Sequence, residues 1–421
     1  MKAKYLLLVL TLLVASACRQ GATHTQIREA SQPVRVSSPD ADAAEPAIAS
    51  ASDGSVYVVW VAHGPTRAAD VMLARFDGNG QMQGSPARVN PEPGMATAWR
   101  GDPPTVVVAS DETVYVGWTA RVESESGHAT DIYLSASRDH GQTFSATKVN
   151  DDPKSAEHGM HSLSVATDGR IYVAWLDERN IVPMEMKDMK MEASTKGHHM
   201  ESNREVYFAS SADGGKTFTQ NQRVAHDACP CCKTALAVAQ DGRVYLSWRQ
   251  VLPGDFRHIA IASSVDQGKT FSSPTIVSDD QWMIAGCPVS GSALAITDDK
   301  TVRVLWYSAG KNGQTGVYAS ESQDFGASFG PRVLVAAVET LGTPVLTRYA
   351  DKTFAVWGSN QPTSTQIFSA RLSGNRESGD DVLVSDGTLP AATSTSAGLF
   401  VAYIAKGNQH QEILLSSPRL D

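Results

Sequence analysis

Seven recurrences of one phrase predict an all-β chain folded as a seven-bladed β-propeller. The phrase is a short apolar strand, an acidic turn and an alternating strand ending on an aromatic residue. It runs Ala47–Trp60, Thr105–Trp118, Leu163–Trp175, Ala235–Trp248, Ala293–Trp306, Val345–Trp357 and Thr393–Tyr403. Turns such as Ser52-Asp53-Gly54, Thr167-Asp168-Gly169 and Gln240-Asp241-Gly242 suit tight hairpins. The terminal aromatics lie 58, 57, 73, 58, 51 and 46 residues apart, so one interval exceeds its neighbours by a single insertion. A steady period of this size marks a repeat architecture, in which each blade buries its face against the next.

From the N-terminus, Lys2 and Lys4 precede the apolar run Tyr5–Val14, which is too short for a membrane helix and has the form of a signal-peptide core. Ala15-Ser16-Ala17 then lead into Cys18, and the junction resembles the lipobox of bacterial lipoproteins. That resemblance implies a signal peptide over 1–17, lipidation of Cys18, a tether over 18–31 and a single propeller domain over 32–421. The expected location is the bacterial cell envelope, with membrane contact only through the lipid. An ordinary secreted protein cut nearby is the alternative. A formal net charge of −9 argues against nucleic acid as a partner.

Pro33–Ser37 resembles the strands Ala87–Asn90, Thr147–Asn150 and Arg223–Ala225 that end later repeats, whereas the last repeat, Thr393–Ser417, lacks one. The N-terminal strand is therefore expected to complete the last blade and leave no open edge.

Each repeat adds a second hairpin, and four of its turns share a pattern. They are Ser137-Arg138-Asp139-His140-Gly141-Gln142-Thr143-Phe144 and its counterparts Ser211–Phe218, Ser264–Phe271 and Ser322–Phe329. The carboxylate can accept backbone N–H bonds across the turn, Gly supplies a positive φ, and the aromatic packs between sheets. These turns resemble the Asp-boxes of sialidase-type propellers, with Phe76–Gly80 as a degenerate fifth copy. The resemblance covers nearly the whole chain as a fold. Enzymes of that family have six blades, so six is the alternative count. It implies an arginine cluster that clamps a substrate carboxylate and an Asp acting as acid and base, roles that fall here to Arg100, Arg249 and Arg348 and to Asp102. The family's Phe/Tyr-Arg-Ile-Pro segment is replaced by Gln32-Pro33-Val34-Arg35, and no Tyr and Glu pair is identifiable.

The unusual residues fall in loops opposite the acidic turns, where variable loops surround the channel mouth. His158, Met160 and His161 precede the third hairpin, His226, Cys229, Cys231 and Cys232 the fourth, and Cys287 the fifth. Four cysteines besides Cys18 allow disulfides. Thiolate, thioether and imidazole together also suit a soft metal, copper before zinc. The long interval adds Met184, Met186, Met189, Met191, His198, His199 and Met200, five of the chain's eleven Met and two of its eleven His. Arg121, Asp177, Glu178 and Arg179 add polar groups on the same face. The leading expectation is a propeller whose loop face binds a soft metal of the copper type through the Cys/His/Met cluster. The alternatives are an exo-glycosidase acting on acidic sugars, and a protein-interaction scaffold with structural disulfides.

Overall fold

The computed structural model describes residues 32–418, apart from 65–67, 125–126, 182–202, 285–287, 299, 341, 362–363, 374–375 and 378–380. The segment 1–31 with Cys18, the Met/His insertion 184–200 and Cys287 lie outside the described residues.

Every described element is a β-strand, and pairing within the sheets is antiparallel. The seven expected hairpins are the first two strands of successive units, each of four strands except the sixth, which has five. In the first unit Asp42–Ser50 pairs with Val56–His63, which pairs with Ala69–Phe76 and then Ala87–Arg88. The third unit runs His158–Val165, Ile171–Asp177, Arg204–Ser211 and Gln222–Ala228. A bridge between Ala228 and Gln250 joins it to the fourth, which begins at Ala235–Val238, so these two units form one eight-stranded sheet. In the last unit Gln411–Ser416 accepts the N-terminal strand Val34–Arg35 as its outer neighbour, with Val34 opposite Leu415. The first strands of consecutive units touch in order, and that of the last unit, Thr388–Thr395, touches Asp42–Ser50 of the first.

The repeated aromatic explains the core. Trp118, Trp175, Trp248, Trp306 and Trp357 are fully buried, and Tyr403 takes the same place in the last unit. Such large apolar bodies supply most of the burial between neighbouring sheets. Four of these indoles find acceptors: that of Trp118 donates to Ser135, that of Trp175 to Asp177, that of Trp248 to Gln250 and that of Trp306 to Asp280.

The four Asp-box turns close as their residue types dictate. Asp266 Oδ1 accepts the Thr270 N–H at 2.9 Å, its Oδ2 accepts the Thr270 hydroxyl at 2.6 Å, and Ser264 Oγ accepts the Gly268 N–H at 2.8 Å. Gly268 has φ +84°, and a Cβ there would lie 2.3 Å from the Phe208 ring, so only glycine fits. Phe271 packs edge-on against Phe208 and so ties the turn to the preceding unit. Asp77 receives the backbone N–H groups of Asn79 and Gln81 as the degenerate copy. Hydrogen bonds from Thr270 and Ser264 hold the Asp266 carboxyl down at about 2. A carboxyl lowered on folding contributes stability that is present above its ordinary value near 3.8 and disappears as the pH falls through about 2. Asp266→Asn is therefore expected to lower the melting temperature at neutral pH, with the difference from the parent vanishing near pH 2 in paired thermal scans.

Candidate functional site

The loops before the first strands of the second to fifth units meet at one end of the molecule, away from the Asp-boxes. They enclose a cleft of about 560 Å³. Its walls include Trp99, Arg121, His128, Glu157, Arg204 and Cys231. Trp99 is 51% exposed. Gly101, two residues on, holds φ +120°, a backbone conformation that favours glycine. Arg121 ends the strand Val114–Arg121 with its side chain exposed, and its guanidinium has no ion-pair partner among the described residues. Arg204 pairs with Glu178 and lies 3.5 Å from Glu157.

Beneath the cleft lies a buried charged triad. Asp102 accepts the Thr119 hydroxyl at 2.7 Å and the Lys233 ammonium at 3.2 Å, while Lys233 also donates to the Pro103 carbonyl at 2.5 Å. His161 Nδ1 stands 3.7 Å from Asp102 Oδ1, and both side chains are buried. The ring fits because residue 117 is glycine: a Cβ there would lie 3.0 Å from the His161 ring and 2.6 Å from Thr105 Oγ1. Burial by itself would raise the Asp102 carboxyl, and the Lys233 charge, with hydrogen bonds from the Thr119 hydroxyl and the Met160 N–H, outweighs it and holds the carboxyl below its ordinary range. Burial, then the Lys233 charge, push His161 down to about 4. It is neutral at physiological pH.

Met160, between these residues, has φ +54° at a register shift between Gly159 and Ser162. The same break recurs at Glu45 and Leu389 in units that do not line the cleft. The bulge is thus a feature of the repeat, and the cleft makes use of it.

The remaining expected residues are dispersed. His158 is locked into a structural network: its Nδ1 lies 2.5 Å from the Thr130 carbonyl and its Nε2 lies 3.1 Å from Asp152 and 3.4 Å from Asp177. Asp177 also takes the Arg179 guanidinium at 2.8 Å. His226 is 76% exposed and pairs with Asp227 at 2.6 Å. The histidines therefore do not converge with the cysteines. The three arginines expected to form a clamp do not converge either. Arg100 is held by Asp42 and Gln411. Arg249 is fully buried, donating to the carbonyls of Ser290 and Tyr307 with the Trp282 ring 4.7 Å from its guanidinium carbon. Arg348 lies beside a hairpin turn, at the opposite end of its strand from the cleft, and reaches the Ile296 carbonyl.

The cysteines do come together. Cys229-Pro230-Cys231-Cys232 forms a tight turn in which the Cys232 N–H reaches the Cys229 carbonyl at 3.4 Å, with Pro230 supplying the fixed φ such a turn favours. The three sulfurs lie within 4.8 Å of one another and are buried with Met160 in one apolar cluster. Cys229 and Cys232 are free thiols, with sulfurs 3.4 Å apart, and Cys231 is disulfide-bonded. Arg257 Nη1 is 3.2 Å from the Cys229 sulfur, and the Arg249 charge acts on both free thiols. Two guanidinium groups favour a thiolate there and oppose the entry of a further cation. Trp99, Lys233, Arg204 and Arg257 were not marked by any motif, since each gains its place from a partner distant in sequence.

A sialidase-like β-fold with a polar cleft on its loop end is the class these features define. The chain belongs to the BNR repeat-like domain family, whose model matches residues 54–339. It is similar to an ulvan lyase of a polysaccharide lyase family, at 13% identity and a TM-score of 0.57, covering 92% of this chain and 96% of that one. A protein of unknown function from Dyadobacter fermentans is similar at 15% identity and a TM-score of 0.53, covering 93% of this chain and 99% of that one. The NanB sialidase of Streptococcus pneumoniae is similar at 10% identity and a TM-score of 0.51, covering 86% and 83%. No curated protein matches.

Proposed function

We propose that the protein is carbohydrate-active and receives an acidic glycan in the cleft. One observation carries this reading: the exposed Trp99 indole and the Arg121 guanidinium, which has no ion-pair partner among the described residues, stand on the walls of the same cavity. An indole face offers a flat apolar platform for a sugar ring, and a guanidinium binds a carboxylate or sulfate in a fork. The sialidase and polysaccharide lyase relatives in fold agree with this substrate class. Glu157 and His128, on the same walls, are the proton-transfer candidates if the glycan is cleaved. The fold belonging to this reading is a seven-bladed propeller completed by the N-terminal strand, supported by the cyclic order of contacts among the first strands. A lipid on Cys18 would hold it at the cell envelope, a reading supported by the signal-like residues before that cysteine.

The test is calorimetric titration with sialylated glycans, ulvan and polyuronates, followed by assays for new reducing ends and for the ultraviolet absorbance of unsaturated sugars. Arg121→Ala and Trp99→Ala are each expected to weaken binding about tenfold, the equivalent of ~1.4 kcal/mol. Binding of none of these polymers, or equal binding by the double variant, would overturn the reading. The two product assays separate hydrolysis from elimination.

A further inference from the structure

The buried Cys229 and Cys232 pair is not used by the cleft, and its surroundings are unlike those of a packing cysteine. Two guanidinium groups converge on it, and they retain unmet hydrogen-bonding capacity: Arg249 Nη1, Arg257 Nε and Ser290 Oγ are all buried with no partner among the described residues. Unpaired donors at depth are costly, and their gathering around one sulfur pair marks a place where an acceptor atom is expected. Cys229 Sγ accepts from both Arg257 Nη1 at 3.2 Å and the Cys232 S–H at 3.4 Å. The geometry thus sets Cys229 as the nucleophile and Cys232 as its proton-bearing partner. Pro230 and Cys231, next along the chain from Cys229, form part of the cleft wall, so the sulfur pair belongs to the turn that borders the cleft.

We propose that Cys229 and Cys232 are a redox-active dithiol, in which Cys229 attacks a peroxide and Cys232 resolves the product as a disulfide. In the first step the Cys229 thiolate sulfur bonds to one peroxide oxygen, the O–O bond breaks, and the departing hydroxide takes a proton to leave as water. Cys229 is then a sulfenic acid, whose oxygen is the acceptor that Arg249 and Arg257 are placed to meet. In the second step the Cys232 sulfur attacks that of Cys229. The S–O bond breaks, and the oxygen leaves with the Cys232 proton as a second water. Two thiols and one hydrogen peroxide become one disulfide and two waters. The 3.4 Å between the sulfurs leaves a displacement of about 1.4 Å to reach the bonded distance of about 2.0 Å. Cys231 already has a disulfide partner and is not the resolving thiol.

The test treats the full chain with stoichiometric hydrogen peroxide, quenches it with iodoacetamide under denaturing conditions and maps the tryptic peptide Val224–Lys233 without reductant. The expected result is loss of alkylation at Cys229 and Cys232 together. In Cys232→Ser, Cys229 should stop at a sulfenic acid that a cyclic 1,3-diketone traps. In Cys229→Ser, Cys232 should stay alkylatable. Arg257→Met should slow oxidation about tenfold at neutral pH while its circular dichroism matches the parent. Full alkylation of both cysteines after peroxide would overturn the proposal. So would equal oxidation of Cys232 in the Cys229→Ser chain, or stoichiometric copper(I) held by the parent and lost in Cys232→Ser.

Discussion

Lys233→Met is expected to cost the fold about 3–5 kcal/mol, the penalty for stripping the partner from a buried ion pair. Asp102 is buried, and among the described residues the Lys233 ammonium is its only full cationic partner while His161 is neutral. Without Lys233 the carboxylate keeps the Thr119 hydroxyl at 2.7 Å, which neutralises no charge. The double variant Lys233→Met, Asp102→Asn should recover most of the loss, because the cost lies in the orphaned charge. Urea denaturation of the three proteins at neutral pH checks this, and a loss below about 1 kcal/mol in the single variant would contradict it. The residues are 131 apart in sequence, so the pair also ties the second unit to the loop before the fourth.

Acid should reveal the other half of the triad. His161 moves from an ordinary value of 6.5 to about 4 on folding, so between those limits the unfolded chain binds a proton that the native chain refuses. Stability therefore falls as the pH drops through this window, by about 3 kcal/mol at pH 4. His158 works in the opposite sense. Burial opposes its charge, but Asp152 and Asp177 raise it, so its contribution is present below 6.5 and fades as the pH rises. His161→Gln isolates the first effect: its stability measured by urea between pH 7 and pH 4 should fall by about 3 kcal/mol less than that of the parent. An unchanged slope would mean that His161 titrates normally.

The two results would also show what kind of floor the cleft has. The triad lies directly against the bulge: a Cβ at Gly159 would lie 3.1 Å from Asp102 Oδ2. The Met160 carbonyl in turn accepts the Thr234 N–H at 3.0 Å and its hydroxyl at 3.1 Å. Asp102, held by Thr119 and Lys233, lies in the same loop as Trp99, so that loop is fixed from below and can present the indole to a ligand without a large ordering cost.

By itself the sequence determined the strands, the hairpin turns and the Asp-boxes. These rest on contacts within a few residues, such as Asp139 with Thr143 or Asp324 with Ser328, and local contacts follow from residue type. It also placed Val34–Arg35 beside the last repeat, because a missing strand and an unused strand were both visible in the repeat. The clustering of Cys229, Cys231 and Cys232 was legible from their spacing alone. Only the tertiary structure decided which polar residues share a site. Arg100, Arg249 and Arg348 look alike in sequence, yet one is paired at a loop, one is buried under Trp282 and one sits at a turn on the opposite end. Lys233 and Arg257 carried no signal, because a buried charge is defined by the partner it meets. Those partners, Asp102 and Cys229, are brought to them by sheet packing between units, which no local pattern encodes.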